Sequence, residues 1–213
     1  MKDAYNGQRR KLLPLLVNLG LVEGMNAQKS QYDYAVVLGA TTNSVRDRLR
    51  FLIRTWQHGI RFREIVFLGS ARLLDPRLEP IPRWRHKAAR PKTETDMMKI
   101  VFAQTKVPKG WQAIKVRFVD APAKPDGAGG MRRPNTADTV EAWLKESPTP
   151  GTVLAISNQP FVLYQHAVLT SLLPRTFSVD SAGSRADPKV SIALCLDSLA
   201  RLLYQTAQEQ NNL

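Results

Sequence analysis

Short apolar runs alternate with amphipathic segments along this chain, and this alternation is the feature that most limits its fold. The first run, residues 34–38 (YAVVL), is followed after a polar turn by residues 44–58, in which Val45, Leu49 and Leu52 recur at helical spacing. A continuous apolar run rich in β-branched residues is typical of a strand buried on both faces, and the spacing that follows is typical of an amphipathic helix. The pair predicts a strand followed by a helix that packs on the sheet.

The same alternation recurs along the rest of the chain. The predicted strands cover residues 34–38, 64–68, 113–119, 152–156 and 176–179, and the predicted helices cover residues 44–58, 93–105, 135–145, 161–173 and 191–207. Strands that alternate with helices imply right-handed crossovers and a mostly parallel sheet. We predict an α/β fold of the Rossmann-like type, a three-layer sandwich with about five strands and helices on both faces.

The size and the cysteine content predict one domain in a reducing compartment. A chain of 213 residues with 43% hydrophobic residues can bury one substantial core. We expect residues 31–213 to form this domain and residues 1–30 to form a helical extension packed on it. The apolar run 12–22 is too short for a transmembrane helix. The chain has a single cysteine, Cys195, so it cannot form an internal disulfide, and this favours a cytoplasmic location. We expect Cys195 to lie in the core.

The formal net charge of +13 favours anionic partners. Charge alone leaves phosphate-bearing small ligands, nucleic acids and anionic membranes open. The most basic connection runs from Arg72 to Lys92 and contains Trp84 between two arginines. Long connections of this kind are lids, binding segments or disordered segments, and these three interpretations stay open.

Polar residues and glycines occur where the predicted strands end and the predicted helices begin. They are Gly39, Thr41 and Thr42 after the first strand, Gly69 and Ser70 after the second, Thr93 and Glu94 at one helix start, Asn135 and Thr136 at another, and Ser157, Asn158 and Gln159 after the fourth strand. In a parallel sheet these connections leave the same edge, where ligands usually bind. We therefore predict a ligand site at that edge, where these residues converge although they are distant in the chain.

Three helix starts combine a hydroxyl or amide with a carboxylate three positions later. The pairs are Ser44 with Asp47, Thr93 with Asp96, and Asn135 with Asp138. This is the capping-box pattern or a near variant of it, and capping needs no ligand. The alternative interpretation is that free amides at these helix starts, together with the helix dipole, hold a phosphate or carboxylate.

Two charged side chains are candidates for individual roles. Glu94 is the predicted catalytic residue, a general base or a partner for a ligand hydroxyl, since desolvation can raise the pKa of a carboxylate in an apolar cleft. Its alternative role is a favourable charge in the first turn of a helix. Arg46 lies in the first turn of its helix, where it could reach an anion, whereas Arg50 and Arg54 are expected to face solvent.

Six short motifs occur in a definite order: VVLGATT at 36–42, the two arginines Arg46 and Arg48, FLGS at 67–70, TETDM at 93–97, NTAD at 135–138 and LAISN at 154–158. This order resembles the YdcF-like family of bacterial proteins, which includes SanA and ElyC. The resemblance implies a Rossmann-like fold with a ligand cleft at the strand ends, and, through one member, S-adenosylmethionine as a ligand.

The resemblance also assigns individual residues. It places Thr93 and Glu94 on the family's Ser-Glu element, and Asn135 and Thr136 on its Asn-Thr pair. The chain departs from the family after the fourth strand, where it reads SNQPFVLYQ at 157–165 in place of the usual His and Arg, with His166 displaced beyond this segment.

The predicted function is binding of a nucleotide-type or phosphorylated small ligand, with S-adenosylmethionine among the candidates and transferase or hydrolase activity open. Neither a G-x-G-x-x-G fingerprint nor a P-loop is present, and the three histidines lack metal-ligand spacing, so no catalytic metal is predicted. Two alternatives stay open. One is a basic module that binds nucleic acid or an anionic membrane through the segment from Arg72 to Lys92, and the other is a catalytically degenerate scaffold for protein partners.

Overall fold

A computed structural model of the protein describes residues 5–79 and 90–211, so that Trp84 and His86 of the basic connection lie outside the described residues. The helices are α1 (Arg9–Asn18), α2 (Thr42–Gln57), α3 (Glu94–Gln104), α4 (Thr136–Lys145), α5 (Val162–Leu172) and α6 (Ile192–Asn211). The strands are β1 (Gln31–Leu38), β2 (Arg61–Ser70), β3 (Lys115–Ala121), β4 (Lys124–Pro125), β5 (Met131–Arg132), β6 (Thr152–Asn158) and β7 (Ser178–Ser184).

Five strands form one parallel sheet in the order β3-β2-β1-β6-β7. From β1 the chain adds β2 and β3 on one side, and then returns to place β6 and β7 on the other. The reversal of direction therefore lies between β1 and β6, which is where open α/β sheets form a crevice for ligands. The predicted α/β fold with a parallel five-stranded sheet is confirmed, and the strand order is the part that the sequence left open.

The two faces of the sheet bury alternate residues of each strand, because successive side chains of a strand point to opposite faces. Ala35 and Val37 of β1 pack in the cluster that includes the apolar side chains of α2 and α3. Val36 and Leu38 pack in a second cluster, with those of α4 and α5. The predicted three-layer sandwich is therefore the observed one.

The fifth strand was predicted two residues too early and too short. It runs over Ser178–Ser184 rather than 176–179, and Ala182 in its middle is buried and pairs with Ile156. Serine and glycine have low strand propensity, so this segment gives a weak sequence signal. Pairing with β6 and burial decide its conformation.

The connection between β3 and α4 contains the small antiparallel hairpin of β4 and β5. The Asp126 carboxylate accepts hydrogen bonds from the backbone N–H groups of Ala128 and Gly130 and closes the turn. Gly127 and Gly129 adopt φ angles of 82° and 88°, a region that favours glycine. Residues 126–130 thus form a turn with defined hydrogen bonds.

A third apolar cluster joins the N-terminal segment to the last helix. Leu16 of α1 packs with Leu21, Val22 and the buried Ile192 and Cys195 of α6. The prediction that Cys195 is a core residue is confirmed. In the described part of the chain, none of the helices has both the length and the apolar character that a membrane crossing requires.

Candidate functional site

A cavity of about 540 Å³ lies at the carboxyl edge of the sheet, beside the end of β1. Its wall combines the turn after β1 with residues at the start of α2, α4 and α5, and with side chains of α3 and α6. A cavity of this size is typical of binding sites for small ligands. Of the predicted site residues, Gly39, Thr41, Glu94, Asn135 and Thr136 line it.

Glu94 occupies one wall of the cavity, in direct contact with Gly39. A Cβ atom at position 39 would lie 2.9 Å from the carboxyl carbon of Glu94 and 2.8 Å from the carbonyl oxygen of Leu68. Only a residue without a side chain permits this approach. Gly39 therefore makes room for the carboxylate that the first helical turn of α3 delivers to the cavity.

The Glu94 carboxylate is nearly enclosed, with 8% of its side chain exposed. Ser70 Oγ donates a hydrogen bond to Oε2 at 2.7 Å, and Arg72 Nη2 lies 3.4 Å from Oε1. Burial raises the pKa of Glu94, and the hydroxyl of Ser70 and the two arginines Arg72 and Arg48 oppose this rise. A carboxylate in this setting can accept a proton or a hydrogen bond from a ligand group.

Arg48 of α2 lies at the floor of the cavity and is 1% exposed. It donates hydrogen bonds to Asn158 Oδ1 at 2.8 Å, to the carbonyl oxygens of Leu38 and Gly39 at 2.7 and 2.8 Å, and to Gln165 Oε1 at 3.3 Å. All four acceptors are uncharged. Burial lowers the pKa of Arg48 to about 10, and the nearby Glu94 acts in the opposite direction.

Sequence reasoning missed Arg48 as a site residue and favoured Arg46 instead. Arg46 is half-buried and does not line the cavity. A signal for Arg48 was available, since Val45, Arg48, Leu49 and Leu52 occur at the i, i+3, i+4 and i+7 positions of one helical face. An arginine within an otherwise apolar stripe indicates a buried cation that needs polar partners.

The start of α4 lines the cavity through Asn135 and Thr136. Asn135 and Asp138 form the predicted capping box, in which each side chain accepts a hydrogen bond from the other residue's backbone N–H. None of the described residues accepts a hydrogen bond from the N–H of Thr136 or Ala137. Capping and available amides therefore occur together at this helix start.

Asp138 fixes this helix start to the neighbouring hairpin. Arg132 donates two hydrogen bonds to its carboxylate, at 2.6 and 2.9 Å, and Lys124 Nζ lies 2.8 Å from it. Burial by itself raises the pKa of Asp138, but the hydrogen bonds from Arg132 and Lys124 outweigh burial and hold the pKa well below its usual range. Next to this cluster, the exposed Arg133 lines the cavity.

The first turn of α2 also borders the cavity, through Thr41 and Ser44. The predicted capping pair of Ser44 with Asp47 is wrong. The helix begins at Thr42 after the cap residue Thr41, whose side chain makes no capping hydrogen bond, and Asp47 pairs with Arg50. The pair was misplaced because the helix starts two residues earlier than the sequence suggested. The pair of Thr93 and Asp96 on α3, in contrast, forms the predicted box.

The remaining wall comes from α5 and α6 and has a mixed character. Phe161 and Tyr164 contribute aromatic surface, and Arg201 forms an ion pair with Asp197 at 2.8 Å. Gln165 is buried beneath them, where its Oε1 accepts hydrogen bonds from Arg48 and from Ser157. None of these residues was predicted, since helix positions without a motif give no sequence signal for a site.

Several predicted site residues lie behind the cavity wall. Ser70 donates a hydrogen bond to Glu94, and Ser157 donates one to Gln165. Asn158 accepts a hydrogen bond from Arg48. These three residues therefore support side chains that line the cavity. The others do not line the cavity either. Thr93 caps α3, Gln159 donates to the carbonyl oxygens of Gly20 and Glu23, Gly69 packs closely on Thr95, and Thr42 is buried in the first turn of α2.

His166 also lies away from the cavity. Its ring Nδ1 is 3.0 Å from Ser181 Oγ on β7. The described residues contain no group of three or more His, Cys, Asp or Glu side chains arranged to hold a metal ion.

Cations outnumber carboxylates among the described residues that line the cavity. The cations are Arg48, Arg72, Arg133 and Arg201, and the carboxylates are Glu94 and Asp197. Arg72 is also paired with the buried Glu79 just outside the wall. The remaining excess of cations and the helix starts favour a positive potential in this space.

Comparison with known proteins gives no family for the chain. No family model matches it, and neither the curated proteins nor the solved structures include a significantly similar one.

Proposed function

We propose that this protein binds a small anionic ligand, phosphorylated or nucleotide-type, in the cavity between the ends of β1 and β6. The anionic group lies at the start of α4, next to Arg133, and a hydroxyl or amino group of the ligand faces Glu94. Transfer or hydrolysis is the class of reaction that such a site suits: Glu94 accepts the proton that the hydroxyl or amino group loses when a group is transferred to it, or the proton of the attacking water in hydrolysis.

The start of α4 is the observation that carries this proposal. The free N–H groups of Thr136 and Ala137 point along the helix axis toward its positive end, where anions are stabilised. Arg133 adds a guanidinium group that makes no ion pair with any residue in the described ranges. Both features favour a ligand that brings negative charge and acceptor oxygens.

Glu94 determines how such a ligand is oriented. A carboxylate repels a phosphate placed directly beside it, so the anionic group of the ligand is best placed away from α3, at α4. The ligand atom next to Glu94 is then a donor. This arrangement suits a phosphorylated compound that also carries hydroxyl groups, such as a sugar phosphate or a nucleotide.

Calorimetric titration with inorganic phosphate, ribose 5-phosphate, AMP, adenosine and S-adenosylmethionine tests the proposal. Phosphorylated compounds are expected to bind more tightly than adenosine. Arg133→Gln is expected to weaken their binding about tenfold or more, because a charge-assisted hydrogen bond contributes about 1.5–3 kcal/mol. Arg50→Gln removes an exposed arginine outside the cavity and is the matched control.

Binding of adenosine as tightly as AMP would contradict the placement of an anion at α4. If S-adenosylmethionine alone bound, and Arg133→Gln had no effect on it, the ligand predicted by the YdcF-like resemblance would replace the phosphorylated one. Absence of binding by every compound, with the folded state verified by thermal unfolding, would count against the proposal as a whole.

A basic module for nucleic acid or anionic membranes is the second candidate, and the net charge of +13 favours it. Arg72, the first residue of the proposed binding segment, is engaged by buried carboxylates and is not available to a polyanion. This candidate predicts binding to RNA, DNA or anionic vesicles that weakens steeply with salt. A cleft blocked by side chains would favour the scaffold alternative, and the cavity of about 540 Å³ does not meet that condition.

A further inference from the structure

The connection after β2 returns to the cavity, where Arg72 and Leu78 line the wall. Arg72 donates hydrogen bonds to both carboxylate oxygens of Glu79, at 2.7 and 3.0 Å. Its Nη2 atom also lies 3.3 Å from the carbonyl oxygen of Ala40 and 3.4 Å from Glu94 Oε1. One guanidinium group therefore joins the loop at 71–79, the turn after β1 and the wall of the cavity.

Glu79 is unusual in its position. It is 3% exposed, although Pro76, Arg77 and Leu78 immediately before it are exposed. Its carboxylate also accepts a hydrogen bond from the backbone N–H of Asp75 at 3.2 Å. The inward-facing Glu79 carboxylate stays in place only while its cationic partner does, because a buried charge without a partner is strongly unfavourable.

We propose that Arg72 is a positioning residue that couples this loop to Glu94. Glu79 fixes the guanidinium group, and the guanidinium group fixes the Glu94 carboxylate at the cavity wall. The Arg72 carbonyl oxygen accepts a hydrogen bond from the Glu94 backbone N–H at 2.9 Å, so displacement of Glu79 leaves the Arg72 backbone in place and releases its guanidinium group from Glu94. The charge at the site therefore depends on the position of Glu79. The role of Glu94 in ligand binding rests on the proposed function, but the coupling between the loop and Glu94 is a property of the ligand-free protein.

The charges around Glu94 support this coupling. Arg48 on α2 and Arg72 on the loop are the cations that act on it, and Ser70 on β2 donates a hydrogen bond to it. Arg48 is held by four uncharged acceptors from β1, the turn after β1, β6 and α5, and is independent of the loop. Arg72 is the partner whose guanidinium group a movement of Glu79 can release.

The test follows the Glu94 carboxyl carbon by NMR in ligand-free protein labelled with ¹³C-glutamate, with Glu94→Gln and Glu79→Gln used to assign the two signals. Arg72→Met is expected to raise the pKa of Glu94 by about 1–3 units, the range typical for loss of an adjacent opposite charge. Arg72→Lys keeps the charge and is expected to recover most of that shift. Arg77→Met removes an exposed arginine of the same loop, paired with Asp75, and is the matched control.

A second variant keeps the test informative if Arg72→Met does not fold. In Glu79→Gln the Arg72 guanidinium group loses the carboxylate that fixes it beside Glu94, so the pKa of Glu94 is expected to rise. Hydrogen exchange of residues 71–79 is expected to accelerate in both Arg72→Met and Glu79→Gln. The proposal is overturned if Glu94 titrates in these variants as it does in Arg77→Met, whatever the loop does.

These measurements use no ligand. If the pKa of Glu94 shifts as expected in Arg72→Met and Glu79→Gln but no phosphorylated compound binds, the proposed function is wrong and the coupling stands. If phosphorylated compounds bind but the pKa of Glu94 is the same in these variants as in Arg77→Met, the coupling is wrong and the proposed function stands.

Discussion

The carboxyl carbon of Glu94 lies so close to Gly39 that a methyl group at position 39 would be 2.9 Å from it. The two residues are far apart in the chain, one at the end of β1 and the other in the first turn of α3. Their contact exists because parallel strands deliver both connections to the same edge of the sheet. It makes Gly39 a requirement for the cavity and not merely a turn residue.

Gly39→Ala is therefore expected to destabilise the protein by about 1–3 kcal/mol, the usual cost of adding a carbon atom to a closely packed site. The backbone oxygen of Leu68, 2.8 Å from the added carbon, cannot move without disturbing the sheet. Urea unfolding measures the change. Gly7→Ala is the control, because a Cβ at position 7 would meet no atom within 4 Å; a comparable loss there would show that the Gly39 effect is not steric.

Arg48→Met is expected to cost about 3–5 kcal/mol of unfolding free energy, since it removes a buried cation and leaves its acceptors without a donor. Arg50→Met on the same helix removes an exposed cation whose ion pair with Asp47 is mostly in solvent, and is expected to change the unfolding free energy by less than about 0.5 kcal/mol. Equal effects of the two variants would contradict the structural role of Arg48.

The raised pKa of Glu94 predicts a particular pH dependence of stability. Between the ordinary carboxyl value of 4.5 and its higher folded value, Glu94 binds more protons in the folded than in the unfolded state, so its contribution to stability falls as pH rises through that window. In Glu94→Gln the side chain does not titrate, so its contribution to stability does not fall with pH in this window. Its unfolding free energy relative to the wild type is expected to increase with pH across the window, whereas an unchanged or falling difference would show that burial does not raise the pKa.

Asp138 predicts the opposite pH dependence, because its pKa is lowered in the folded state. Its ionised form stabilises the protein above the ordinary carboxyl value of 3.8, and this contribution is lost as pH falls toward the lower folded value. Asp138→Asn is expected to cost about 1–3 kcal/mol at pH 7, an estimate that allows for the partial exposure of Arg132 and Lys124.

The cost of Asp138→Asn is expected to shrink as the pH is lowered below about 4. Chemical unfolding of both proteins between pH 3 and pH 8 measures it. Glu23→Gln, at a half-exposed carboxylate whose ion pair with Arg185 lies at the surface, is the control. A difference between Asp138→Asn and the wild type that stayed constant over this range would mean that the side chain acts through its shape and not its charge.

The alternation of buried strands and amphipathic helices was sufficient for the α/β fold, because side-chain periodicity reports directly on which faces are covered. The capping boxes at Thr93 and Asn135 could also be recognised, since they involve residues three positions apart. The pair at Ser44 failed because its helix starts two residues earlier, and β7 was misplaced because its serine and glycine content masks a buried strand.

The sequence by itself determined the layers of this protein, the edge of the sheet at which the cavity lies, and several residues that line it, among them Gly39, Glu94 and Asn135. The tertiary structure decided the strand order, the burial of Arg48 and the link from Glu79 through Arg72 to Glu94. The physical reason is the distance along the chain over which each signal acts. Periodicity and capping depend on neighbours along one helix or strand, whereas the partners of a buried charge come from segments that only the assembled sheet brings together.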